Sequence, residues 1–197
     1  MTKWRCVSST SNCLLVKTDL SQFNNDWYHP GAGALKRACW FIVSWLAFQS
    51  GVHLPYGWKR GLLRSFGARI DKGVVIKPRV TIKYPWRLRV GAYAWIGEQV
   101  WIDNLEDVTI GAHACISQGA LLLCGNHDYT KPSFDLIVKP IEISDGAWIG
   151  AKAVVTQGVK VGSHAVLSVG SVASKDLEPN GVYRGNPAEK VKERSIA

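Results

Sequence analysis

The chain has 197 residues, 47% of them hydrophobic and 20% charged, enough to bury the core of one domain with an appendage. Its five cysteines, Cys6, Cys13, Cys39, Cys115 and Cys124, are odd in number and form no C-x-x-C pair, which argues against a disulfide framework and against a zinc site and fits a reducing compartment. The net charge is +9, but Leu35 to Val90 carry twelve Lys or Arg against Asp71 alone, so the remaining residues sum to about −2.

Residues 1–66 read as an arm and a helical cap. Met1 to about Gly33 is polar, weakly periodic and turn-like at His29 to Gly33, hence an extended arm. It has no basic segment leading into an apolar run and a small-residue cleavage site, so no secretory signal and a cytoplasmic location are expected. Residues 34–66 read as one or two helices broken at Pro55-Tyr56-Gly57. Within them Ala38 to Phe48 has Ser44 as its single polar member, flanked by Lys36 and Arg37 and by Lys59, Arg60 and Arg64. This run is shorter than the roughly 20 apolar residues that span a bilayer. Two uses fit it: a helix capping the open end of the domain that follows, hiding its first edge, or a helix that also rests on the anionic inner membrane surface with Trp40, Trp45 and Trp58 at headgroup depth. The basic zone holds no nucleic-acid reader motif, so no nucleic-acid partner is expected.

From 67 to 179 a pulse of period six takes over: Ile70, Ile76, Ile82, Leu88, then Val90, Ile96, Ile102, Val108, then Ile110, Ile116, Leu122, and later Ile143, Ile149, Val155, Val161, Leu167. Four positions on lies a column of small or β-branched residues, among them Val80, Ala94, Val100, Ala114, Ala120, Ala147, Ala153, Val159, Ala165 and Ser171. Neither a helix face nor strand alternation has this period. It predicts an all-β parallel β-helix of hexapeptide repeats, about five coils of about eighteen residues, each face pointing one aliphatic side chain at the axis. Gly91, Gly97, Asp103, Gly111, Gly150 and Gly162, one position after the pulse, read as corner residues in a conformation costly for a Cβ. The two-residue slips at Leu88 to Val90 and Val108 to Ile110 read as corner insertions.

The pulse vanishes once, across an excursion loop at 123–142. A loop of that length in a regular solenoid is uncommon unless it is functional. It opens with Asn126-His127-Asp128. An imidazole at the root of such a loop suits a general base for an unreactive hydroxyl, and Asn126, Asp128 or a backbone carbonyl would fix its tautomer. Residues 180–197 begin turn-rich at Asn180 to Ala188, crossing back over the last coil, and end in the charged Glu189 to Arg194, read as a short helix.

The coil, Gly125 to Tyr129, Asp145 to Gly150, Gly170 to Asp176 and Gly185 to Ala188 together resemble the left-handed β-helix O-acetyltransferases of the maltose, galactoside and nodulation group. Leu63 to Ile70, Tyr84 to Trp86, Cys115 to Gly119 and Asn126 to Tyr129 are more similar to its colanic acid biosynthesis branch. The resemblance covers about residues 20–194, and it alone supplies the left hand, against the usual rule for parallel crossovers. It implies acetyl-CoA as donor, an exopolysaccharide sugar as acceptor, no metal, and a homotrimer with sites between neighbouring coils.

By the same resemblance His127 is the base, Asp103 or Asn104 holds an acceptor hydroxyl, and Asn126 and Tyr129 border the acceptor. Trp148 packs along the pantetheine arm, the backbone around Gly150 and Ala151 and around Val169 and Gly170 bonds its amides, and Ser174 and Lys175 lie near the lower arm and phosphates. Lys192 falls where relatives carry an Arg for the nucleotide phosphate, a weaker match because an ammonium lacks the guanidinium fork. Glu189 and Gln157 also depart from the pattern. Packing alone would account for Trp148, and corners alone for Gly150 and Gly170. Two rivals stand beside this reading: a trimeric membrane scaffold without catalysis, and a γ-type carbonic anhydrase, whose H-x-x-x-x-H spacing is missing among the coil histidines.

Overall fold

Side chains that recur every sixth residue share one axis only if the backbone turns a corner between them. The computed structural model describes residues 17–196, and in it the strands wind into a three-sided parallel solenoid of about six turns. One face stacks Arg69–Ile70, Leu88–Val90, Val108–Ile110, Ile141–Ile143 and Lys160–Val161. A second stacks Val75–Ile76, Trp95–Ile96, Cys115–Ile116, Trp148–Ile149, Val166–Leu167 and Gly181–Arg184. The third stacks Thr81–Ile82, Trp101–Asp103, Leu121–Leu123, Val154–Val155 and Val172–Ala173. Register is kept from turn to turn, so Ile76, Ile96, Ile116, Ile149 and Leu167 form one buried ladder up the second face. The small column from Val80 to Ser171 is buried beside the ladders.

Two sequence expectations change in detail. Leu88 and Val90 both point inward from a single strand, as do Val108 and Ile110, so the slip is not itself a corner. The extra residues bulge just upstream, between third and first faces, at Pro85–Arg87 and again around Leu105 to Asp107. The long excursion leaves from that same corner one turn later. Nor do the predicted corner glycines supply the left-handed conformation, which belongs to residues two positions further on, such as Tyr93 (φ +59°), His113 (+56°) and Lys152 (+55°). Gly91 and Gly150 are required for space: a Cβ there would lie 2.5 Å from the Ala112 amide nitrogen and 2.6 Å from that of Val169, in the next turn up.

The solenoid's lower end is capped by two helices. Helix α1, Ala34–Ser44, continues through one π turn, Trp45–Gln49, and α2 spans Tyr56–Ser65, with Pro55 just before it, where a missing N–H costs nothing. The first turn's carbonyls have no turn below to donate to them. The cap supplies donors on every face: Arg64 Nε to Ile70 O at 2.8 Å, Arg60 to Val74 O at 2.9 Å, Lys59 Nζ to Ile76 O and Lys77 O at 3.2 and 3.0 Å, and Trp40 Nε1 to Ile82 O at 2.9 Å. Trp40 is thus buried in the cap core and not at a membrane surface, whereas Trp45 and Trp58 are exposed.

The carboxy-terminal segment is not the expected helix. Glu189–Glu193 is a strand, antiparallel to Gly181–Arg184. All five of its residues are exposed, so a helix would have had no apolar face to bury, while the strand form saturates the last turn's edge. Lys190 clasps Glu178 and Glu193 at 2.7 Å each across it.

Candidate functional site

The excursion is a β-hairpin in which Gly125–His127 pairs with Leu136–Val138, His127 opposite Leu136. At its root the half-buried His127 ring stacks on Phe134, centroids 4.5 Å apart and planes within 9°, and meets Phe23 of the arm at 5.6 Å. Its Nδ1 lies 2.8 Å from the Phe134 carbonyl oxygen. A carbonyl only accepts, so Nδ1 carries the hydrogen in the neutral ring and Nε2 keeps its lone pair. Among the described residues Nε2 has no partner. The backbone thus sets the tautomer, through a residue that itself takes a left-handed φ of +53°.

Asn126 and Asp128 serve the chain instead. The Asn126 Oδ1 accepts from the His127 amide, and Asp128 accepts from the amide and hydroxyl of Thr130, hydrogen bonds that hold its carboxyl below the usual carboxylate range. The arm is tied on from outside, Asp19 N–H donating to Pro132 O at 2.8 Å.

Along the second face runs a cavity of about 780 Å³ lined by Ser117, Trp148, Gly150, Ala151, Val169 and Lys192 among others. Trp148 is half exposed, its Nε1 donating to the Ser117 hydroxyl at 2.8 Å, which fixes the indole as a wall. The Gly150 N–H donates to Leu167 O at 2.7 Å and that of Gly170 to Ala151 O at 2.9 Å, so both amides are already spent within the coil. Those of Ala151 and Val169, residues that line the groove, have no acceptor among the described residues. The expectation for this backbone therefore narrows to two amides. Beyond them stand Lys192 and Arg194, the latter anchored to the carbonyls of Gly146 and His164 at 3.0 and 3.1 Å.

Several predicted residues fall elsewhere. Gly170, Ser174 and Lys175 are exposed and do not line this cavity. Asp103 sits in a separate hollow of about 300 Å³ beneath α1, its Oδ1 2.9 Å from Lys83 Nζ. Asn104 is fully buried, accepting from the Tyr84 N–H at 2.9 Å and donating to the Tyr84 carbonyl at 2.6 Å, so it holds a corner and presents nothing to an acceptor. Tyr129 stands exposed on the hairpin. His127 and the cavity do not meet within one chain, since it is not among the lining residues. Sequence reasoning missed Ser117, Arg194 and Phe23, whose roles arise from neighbours distant in the chain. Among the described residues no three His, Cys, Asp or Glu side chains gather as a metal set.

No protein-family model matches the chain. WcaF of Escherichia coli K12, named for colanic acid biosynthesis and as an acetyltransferase, is 40% identical over 176 residues, covering 89% of this chain and 97% of the relative. The chain belongs to the hexapeptide-repeat acetyltransferases. The galactoside O-acetyltransferase of E. coli K12 is 25% identical over 138 residues, 68% of each chain. A hexapeptide-repeat acetyltransferase from Vibrio cholerae, solved with acetyl-CoA, superposes with a TM-score of 0.73 at 25% identity, over 84% of this chain and 92% of that one. The fold of this acetyltransferase is accordingly the left-handed β-helix, and its solenoid is the scaffold its relatives use.

Proposed function

We propose that this acetyltransferase moves an acetyl group from acetyl-CoA to a saccharide hydroxyl in exopolysaccharide biosynthesis, acting as a homotrimer in the cytoplasm. The observation that carries the reading is the His127 imidazole, held at Nδ1 by the Phe134 carbonyl, with Nε2 free of any partner among the described residues. In a ternary complex Nε2 takes the proton of the sugar hydroxyl as its oxygen attacks the thioester carbon. The tetrahedral oxyanion collapses, the carbon–sulfur bond breaks, and the imidazolium returns the proton to the departing thiolate. A backbone amide near Gly150 or in the loop steadies the oxyanion.

In the cavity Trp148 would flank the pantetheine arm, Ala151 and Val169 N–H would donate to its amides, and Lys192 would meet a phosphate, with Ser174 and Lys175 further along the coil. Asp103 and Tyr129 would border the acceptor. Because His127 does not line the cavity of its own chain, the complete site is proposed to form between protomers, one giving the hairpin and its neighbour the groove. The reading includes peripheral association with the inner membrane face, which rests on the helical cap.

The test is His127→Ala, assayed for acetyl transfer and, by calorimetry, for acetyl-CoA binding. Turnover should fall about 10²- to 10⁴-fold with donor affinity retained. Undiminished turnover would remove His127 from the chemistry.

A further inference from the structure

We propose that the outward face of the helical cap docks this protein on an anionic lipid bilayer. The inner face of α1 and its π turn, Trp40, Ser44, Ala47 and Phe48, is buried against the solenoid. The outer face is apolar too. Ile42, Trp45 and Leu46 lie at i, i+3 and i+4 and are 57%, 62% and 55% exposed, and Trp58 of α2 is 70% exposed. Large aliphatic and indole side chains gathered on an exposed helix face mark a surface that something covers.

Charge selects the occupant. Between Leu35 and Val90 the one acid is Asp71. Of the twelve cations there, Lys59, Arg60 and Arg64 are spent on carbonyls, and Lys83, Arg87 and Arg89 pair with Asp103, Glu106 and Asp107. No carboxylate among the described residues pairs with Lys36, Arg37, Arg69, Lys72, Lys77 or Arg79. Of these, Arg37 belongs to α1 and Arg79 reaches Gly51 just past the π turn, so the apolar face sits in a zone of excess positive charge, which complements acyl chains beneath anionic headgroups. A second copy seated patch to patch would instead oppose two strongly basic zones.

No helix among the described residues is long and apolar enough to cross a membrane, so the cap lies in the interfacial plane. Resting on the trimeric arrangement proposed above, threefold symmetry would turn three caps to one side, and weak single contacts would add as avidity.

The experiment is vesicle flotation of the whole protein without acetyl-CoA or acceptor. Vesicles of phosphatidylcholine mixed with phosphatidylglycerol are compared with phosphatidylcholine alone, for wild type and Trp45→Ser/Leu46→Ser. Wild type should float with the anionic vesicles, less so as salt rises, and stay behind with neutral ones. The double variant should bind about tenfold or more weakly, with unchanged melting and unchanged oligomeric state. Wild type that ignores anionic vesicles, binds neutral ones equally, or binds equally after the double substitution overturns the proposal. A double variant with altered oligomeric state also overturns it, assigning the face to another copy of the chain. Since no acetyl transfer is read, failure here leaves the catalytic reading standing, and the reverse holds.

Discussion

At the scale of single residues, a polar side chain next to a candidate site earns its role by where its hydrogen bonds go. Asn104 spends its amide on the Tyr84 N–H and carbonyl in a place with no solvent access, and so works as a clamp between two stacked corners. Asn104→Ala should therefore destabilise the fold by about 1–3 kcal/mol through two orphaned backbone groups. Urea unfolding measures the loss, and the acceptor KM of the surviving folded enzyme should stay put. A raised KM at unchanged stability would return Asn104 to the acceptor site. His127 is the opposite case, for its ring bonds the Phe134 carbonyl through Nδ1 and leaves the other nitrogen without a partner among the described residues.

Among elements, α2 shows how a solenoid is started. An unfinished first turn exposes carbonyls on every face, and α2 meets four of them with three cations, including a Lys59 that is 1% exposed and lies 5.8 Å from the Phe48 ring centroid. Lys59→Met should cost about 1–3 kcal/mol, since the carbonyls of Ile76 and Lys77 lose their donor. Burial pushes the Lys59 pKa below its ordinary 10.5. Between that lowered value and 10.5 the unfolded chain binds more protons than the folded one, so stability due to this group rises with pH across the window and is lost as pH falls through the folded value. The gap between wild type and variant, followed by denaturant unfolding, should widen with pH there. A gap that narrows would mean that hydrogen bonding, and not desolvation, dominates this ammonium.

The whole molecule separates its two candidate chemistries. The groove proposed for the donor lies along the second face, while His127 rides a hairpin leaving another corner and does not line that groove, so in the proposed reading neither is complete alone. If the groove binds acetyl-CoA, the donor at about 100 times its Kd should stabilise the folded state by about 2.7 kcal/mol, a rise of several degrees in Tm. Differential scanning fluorimetry with acetyl-CoA checks it, and no shift at saturating donor would favour a scaffold over an enzyme.

Period six determined the three-sided solenoid, because only a turn at each sixth residue lets Ile76, Ile96 and Ile116 share an axis. The break in that period likewise located the excursion and His127. Tertiary structure decided what depends on partners remote in the chain. Lys59, Arg60 and Arg64 look in sequence like cations for a membrane but are spent on carbonyls; Trp40 is buried where Trp45 is not; Asn104 turns inward. The charged tail became a strand because the last turn offered an open edge. Local pattern dictates how a backbone winds, whereas which polar groups remain free is settled only when every donor has found its acceptor across the fold.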